Sequence, residues 1–116
     1  KKLPFRFCLC HPTVMFRKSV ILSAGGYQGN QVCQDLDLWL RLSRNKDIIF
    51  ANMPDVLLEY RLHSKQAKGK KECYITAACL MLREALTRKS IRYFAGFVIS
   101  LIKLLKSNLK NNFNQP

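Results

Sequence analysis

The 116-residue sequence is poor in acidic residues, with 7 Asp and Glu against 20 Lys and Arg and a formal net charge of +13. The imbalance is uneven, because residues 65–116 hold 11 basic and only 2 acidic side chains. A half with this charge is attracted to anionic partners such as acidic lipid, nucleic acid or a phosphorylated ligand. An apolar fraction of 48% excludes a disordered chain and predicts one small folded core.

The five cysteines are odd in number and lack the paired spacing of a zinc ribbon or a disulfide-rich secreted scaffold. We therefore expect reduced thiols and a cytoplasmic protein. Cys8, Cys10 and His11 lie close together, but no second ligand pair follows at a suitable spacing, so zinc is not expected. The chain starts at Lys1 without Met, signal peptide or targeting sequence, and we expect it to be a piece of something longer.

Several sequence signals of function are also absent. The sequence has no Gly-rich phosphate loop, no recognisable Ser/His/Asp triad and no helix-turn-helix pattern. Its longest apolar segment is interrupted by Lys103 and Lys106, and it is shorter than the ~20 residues that a membrane-spanning helix needs.

The pattern of apolar residues predicts a mixture of helices and short strands, and hence an α/β (α+β) fold. Helices are predicted over residues 19–24, 35–44, 72–86 and 91–109, and Gly25-Gly26 is predicted to close the first of them in a left-handed conformation. Extended or strand segments are predicted over residues 5–10, 13–16, 47–51 and 56–60. Residues 64–71, which contain four lysines, are predicted to be a solvated loop or linker.

The two C-terminal helices are amphipathic. The stripe of the helix over 72–86 is predicted to face a core. The helix over 91–109 has a wide apolar face edged by lysines, which leaves two alternatives: contact with a membrane interface through residues 90–110, or packing against protein outside this sequence. That face consists of Ile91, Phe94, Val98, Ile102, Leu105 and Leu109.

Two carboxylates stand at the start of the run QDLDLWLRL, residues 34–42. Asp35 falls in the first turn of the predicted helix, where free N–H groups and the helix dipole favour an anion. Asp37 has Arg41 four residues on, at the spacing of a helical ion pair. The two acids are about 200° apart around the helix, so they do not form the paired acids of a glycosidase. If one of the two acids takes part in catalysis, Asp35 is the better candidate, because it lies where a loop enters the helix.

Three blocks in this order carry a resemblance to a known family: HPTVMFRKSVILSAGGY, QDLDLWLRLS and ANMPDVLLEYRLHSKQAK. Together they resemble the C-terminal half of the catalytic domain of family 2 glycosyltransferases, which have the GT-A fold. The resemblance covers about residues 11–66. It implies two parts, namely an acceptor-side half of the catalytic domain over residues 1–66 and a basic helical extension over 67–116.

The resemblance implies roles for particular residues. Asp35 matches the family's general base, which removes the proton from the acceptor hydroxyl. Gln34 stands where the family usually has Glu, and with Gly25, Gly26 and Tyr27 it would shape the acceptor side. The chain departs from the family's pattern after Tyr27, where it has Gln28 and the family commonly has an acid.

The resemblance also implies a donor side. Arg61 and His63 would bind the diphosphate of a nucleotide-sugar donor, and His63 would also be a ligand for a divalent cation, Mg or Mn. A lone histidine is more often a surface residue than a metal ligand.

The family's nucleotide-binding half and its DxD metal motif have no counterpart here, so we expect a fragment that is inactive alone. The whole enzyme would act on a glycan or lipid-linked acceptor in polysaccharide or cell-surface glycan synthesis, in the cytoplasm or at the inner membrane face. The alternative is a non-catalytic basic module that binds acidic lipid or nucleic acid. Nucleic acid is the less expected partner, because the aromatic residues are not interleaved with the basic ones.

Overall fold

The computed structural model describes residues 3–5, 9–28, 32–61 and 71–113, and about 60% of these lie in helices. The chain divides into two compact units. We call them the middle unit, Phe7–Gln66, and the hairpin unit, which joins Lys1–Arg6 to Ala67–Pro116. Whether these units correspond to an acceptor-side half and an extension stays a prediction.

The middle unit contains a short 3₁₀ turn at His11–Thr13 and two helices, α1 (Lys18–Ser23) and α2 (Gln34–Leu42). Both helices were predicted from the sequence, and both are confirmed. The apolar residues of α2 are buried around most of its circumference, which makes it the centre of this unit. They are Leu36, Leu38, Trp39, Leu40 and Leu42.

The predicted α/β fold is wrong for the part of the chain that the structure describes, because that part contains no β-strand. Residues 47–51 and 56–60 were predicted as strands, yet no partner strand pairs with them among the described residues. Most of their side chains face solvent, with Ile49 88% and Val56 94% exposed. The β-branched residues of these segments favoured a strand. A strand also needs a second strand that forms hydrogen bonds with its N–H and C=O groups.

The two segments predicted as extended near the N-terminus have different outcomes. Thr13 belongs to the 3₁₀ turn, and residues 14–17 follow it without helical or strand pairing. In the other segment, residues 6–8 lie outside the described residues, as does most of the lysine-rich loop predicted over 64–71.

The hairpin unit is built from two long helices, α3 (Lys71–Arg88) and α4 (Ile91–Phe113), which pack against each other. Both confirm helices predicted from the sequence. Glu84 is fully buried in α3, where its carboxylate accepts hydrogen bonds from Arg83 at 3.0 Å and Arg88 at 2.8 Å. Arg88 in turn lies over the ring of Tyr93, 4.6 Å from its centroid. The ion pairs lie within α3, and the contact of Arg88 with Tyr93 joins the end of α3 to the start of α4.

The helices of the hairpin meet through their small and polar residues. On α3 the buried positions include Ala77, Ala78, Met81 and Ala85, and on α4 they are Tyr93, Gly96 and Ser100. The predicted core stripe of α3 is therefore only partly right, because Ala78 and Ala85 are buried but Ile75, Cys79 and Leu86 are exposed.

Seven large apolar residues of α4 lie on the other side of the helix and are exposed, namely Ile91, Phe94, Val98, Leu101, Ile102, Leu105 and Leu109. No helix of the described residues is long and apolar enough to cross a membrane. The described cysteines Cys10, Cys33, Cys73 and Cys79 are free thiols.

Gly96 allows the N-terminal residues to approach α4. A Cβ at this position would overlap the backbone carbonyl of Pro4, which is buried, and would press on the sulfur of Met81. At most interior helix positions, replacing glycine by alanine stabilises the protein by roughly 0.5–1 kcal/mol. At Gly96 we expect the opposite effect, because the added methyl group has no room. Gly96→Ala should lower the free energy of unfolding by about 1–3 kcal/mol, measured by urea denaturation. A more stable variant would contradict this contact.

Candidate functional site

Arg41 joins the two helices of the middle unit. Its Nε donates to Oδ2 of Asp37 at 2.8 Å, within α2, and both side chains are largely buried. This is the ion pair that the four-residue spacing predicted. Asp37 is therefore confirmed as a structural partner of Arg41.

The rest of the Arg41 guanidinium reaches back to the glycine turn that follows α1. One terminal nitrogen donates to the carbonyl oxygen of Ala24, and the other donates to that of Gly26 at 2.5 Å. A planar guanidinium with several fixed donors can bind a carboxylate and two carbonyls at once, which a lysine cannot. Arg41 thus connects the glycine turn to α2.

The glycine turn itself is built by backbone hydrogen bonds. Gly25 N donates to Leu22 O and Gly26 N to Ile21 O, both at 2.9 Å, which is the Schellman arrangement at a helix C-terminus. Both glycines have positive φ, +82° and +64°, as the sequence predicted. The turn leaves its carbonyls pointing toward Arg41 and carries Tyr27 directly after it.

Asp35 lies in the first turn of α2, half-buried and outside the Asp37–Arg41 pair. It lies near enough to Tyr27 to act on its ionisation: burial raises the pKa of Tyr27 above its ordinary value of 10.0, and the charge of Asp35 raises it further. The phenol therefore stays protonated at neutral pH. The charge of Asp35 thus acts on the hydroxyl of Tyr27.

A cluster of aromatic rings lies next to Tyr27. Trp39 is buried, and its ring lies 6.2 Å from His11, 6.4 Å from Phe16 and 6.5 Å from Phe50, between ring centroids. His11 also meets Tyr27 edge to face at 5.7 Å. His11, Phe16, Tyr27 and Phe50 are partly open to solvent. This surface of aromatic rings next to a carboxylate and a hydroxyl can bind the mixed apolar and polar face of a small ligand.

Sequence reasoning missed His11 and the position of Trp39 in this cluster. His11 opens the first of the three sequence blocks, which was a signal that it belonged to the site. Trp39 looked like one more apolar residue of a buried helix. Neither contact is local, because His11 and Trp39 are far apart in the chain.

Gly25, Gly26 and Tyr27 follow one another in the turn after α1, and the charge of Asp35 acts on Tyr27. Gln34 is exposed at the first residue of α2. Arg61 is exposed at the end of the segment 32–61, and His63 lies outside the described residues. The catalytic, acceptor and donor roles of all these residues stay predictions.

The described residues contain no binding site for the predicted divalent cation. Within residues 3–5, 9–28, 32–61 and 71–113, no three side chains of His, Cys, Asp or Glu converge in a way that could hold a metal ion. These residues therefore do not fit a metal site by themselves.

Comparison with known proteins gives the family relationship. The chain is 40% identical over 106 residues to the O-antigen biosynthesis glycosyltransferase WbnJ of Escherichia coli, a match that covers 90% of this chain and 42% of WbnJ. It is 32% identical over 96 residues to the amylovoran biosynthesis glycosyltransferase AmsE of Erwinia amylovora, covering 82% of this chain and 36% of AmsE. Its homologues are glycosyltransferases.

A third relative, an uncharacterized glycosyltransferase of Haemophilus influenzae, is 36% identical over 62 residues, which are 53% of this chain and 21% of that protein. The predicted relationship to glycosyltransferases is thus confirmed. The chain spans about two fifths of the length of WbnJ and AmsE. No family model and no solved structure matches it.

The proximity of Tyr27 and Asp35 can be measured by titration. We expect Asp35→Asn to move the pKa of Tyr27 down toward 10.0, because a negative neighbour disfavours the phenolate. The pKa should stay above 10.0, because burial is the larger cause. The measurement is an NMR titration of the tyrosine ring carbons, with Tyr27→Phe for assignment. An unchanged pKa in Asp35→Asn would show that the two groups do not interact.

The importance of the Arg41 guanidinium can be tested by a conservative replacement. Arg41→Lys keeps the charge but cannot donate to Asp37, Ala24 and Gly26 together, so we expect a loss of about 2 kcal/mol in the free energy of unfolding. The control is Arg17→Lys at an exposed position, where we expect a change below about 0.5 kcal/mol. Equal stability of the two variants in urea denaturation would contradict the role of Arg41.

Proposed function

We propose that this chain is part of a family 2 glycosyltransferase that transfers a sugar from a nucleotide-sugar donor to an acceptor hydroxyl in polysaccharide synthesis. Two observations support the proposal: the three blocks over residues 11–66, and homologues whose names place them in O-antigen and amylovoran biosynthesis. Because the chain spans about two fifths of those proteins, the activity belongs to the whole enzyme.

In this proposal Asp35 is the general base. Its carboxylate accepts the proton of the acceptor hydroxyl while the acceptor oxygen bonds to the anomeric carbon of the donor sugar. The bond from that carbon to the phosphate oxygen breaks, and the nucleoside diphosphate leaves with the electron pair, so the anomeric configuration is inverted. The supporting observation is that Asp35 is half-buried at a helix entrance and is not the acid that pairs with Arg41.

The acceptor side is formed by the glycine turn, Tyr27 and His11, with Gln34 at its edge. The protonated phenol of Tyr27 donates a hydrogen bond to an oxygen of the acceptor sugar. The edge-to-face contact with His11 holds the Tyr27 ring in place. Arg41 acts at a distance, because it attaches the turn that carries Tyr27 to the helix that carries Asp35.

The donor side is proposed from the resemblance, with Arg61 and His63 neutralising the diphosphate. A divalent cation, Mg or Mn, would take its ligands from outside the described residues.

The test is Asp35→Asn in the full-length enzyme within the cell. Because general-base catalysis contributes about 10²–10⁴-fold, we expect the polysaccharide ladder seen on gels to disappear when the chromosomal gene carries this change. Asp55→Asn is the matched control, since Asp55 is an exposed aspartate of the same unit outside the site.

Two results separate the possible outcomes. Loss of the ladder in Asp35→Asn alone, at a wild-type level of protein, supports the proposal. A normal ladder in Asp35→Asn cells would remove the role of Asp35 as base.

A further inference from the structure

One face of α4 carries large apolar side chains that are exposed. We call it the outer face of α4. Its members recur every three or four residues and therefore form one continuous strip about 27 Å long at 1.5 Å per residue. They are Ile91, Phe94, Val98, Leu101, Ile102, Leu105 and Leu109.

The outer face is not the side of α4 that packs on the rest of the hairpin unit. That side is occupied by Tyr93, Gly96 and Ser100, which are buried. The arrangement reverses the usual one, in which the apolar side of a helix faces the core. An exposed apolar strip of this length marks an interaction surface.

The charges beside the outer face are all positive. Arg92, Lys103 and Lys106 are exposed and fall within about 60° of the helix circumference, on one flank of the strip. Helix α4 contains no Asp or Glu, and residues 65–116 have a net charge of +9. The surface therefore pairs an apolar strip with a basic edge.

We propose that the outer face of α4 binds the surface of an anionic lipid bilayer, with the helix lying in the plane of the membrane. The apolar side chains enter the boundary between headgroups and acyl chains, and the lysines reach the anionic headgroups beside them. This binding holds the enzyme next to a lipid-linked acceptor and does not depend on the chemistry proposed for Asp35.

Charge and apolar area argue against two other occupants, a second copy of this chain and nucleic acid. A second copy of the same face would bring two positively charged edges together, which is repulsive. Nucleic acid would satisfy the basic residues but leave the apolar strip in water. A bilayer with acidic headgroups satisfies both parts of the surface.

The test is sedimentation of the full-length protein with vesicles of equimolar phosphatidylcholine and phosphatidylglycerol, and with phosphatidylcholine alone. We expect Leu105→Ser to weaken binding to the anionic vesicles about tenfold, since it removes one inserted leucine. The matched control is Leu57→Ser, because Leu57 is 72% exposed and Leu105 is 61% exposed. This control should bind as the wild type does.

The basic edge is tested separately. We expect the double variant Lys103→Glu and Lys106→Glu to weaken binding to the anionic vesicles at least tenfold, and we expect little change on phosphatidylcholine alone. Lys46→Glu, at an exposed lysine of the middle unit, is the control. High salt should reduce the difference between the two charge variants on anionic vesicles.

Three results would overturn the proposal. The first is sedimentation of the wild type with neither kind of vesicle, and the second is equal binding by Leu105→Ser and Leu57→Ser. Alternatively, Leu105→Ser could dissociate an oligomer or lower the unfolding temperature well below that of Leu57→Ser, which would show that protein covers the outer face. Asp35→Asn should bind vesicles normally, so failure of the proposed chemistry and failure of this proposal are distinguishable.

Discussion

The guanidinium of Arg41 is the interaction on which the candidate site depends. It binds a carboxylate of its own helix and two carbonyls of the turn after α1. These carbonyls belong to residues 17 and 15 positions before Arg41, so one side chain fixes the turn against α2. The turn can offer those carbonyls because Gly25 and Gly26 adopt positive φ. As a result Tyr27, which follows the turn, stands near Asp35, which starts the helix.

The hairpin unit follows a different constraint, the close approach of backbone at Gly96. The backbone of Pro4 and the sulfur of Met81 in α3 both approach this position. Seven large apolar side chains of α4 lie on the other side of the helix and are exposed. The same helix thus packs against α3 on one side and exposes an apolar face on the other.

The features that could be predicted from the sequence are local ones. The spacing of Asp37 and Arg41 gave their ion pair, and the glycine pair gave the left-handed end of α1. The prediction of strands over 47–51 and 56–60 was wrong because a strand must pair with another segment. The β-propensity of a segment does not show whether such a partner exists. The contact of His11 with Tyr27 and Trp39 is likewise non-local. For α4, periodicity identified the apolar face, but it could not show that the opposite face packs on α3.

The central claim is that Arg41 positions Tyr27 beside Asp35, and one measurement tests it most directly. This is the pKa of Tyr27 in folded Arg41→Lys protein, read by NMR at a temperature well below unfolding. If the turn is released from α2, Tyr27 moves away from Asp35 and into solvent, and its pKa should fall toward 10.0. A Tyr27 pKa equal to that of the wild type, in a variant that remains folded, would contradict the account.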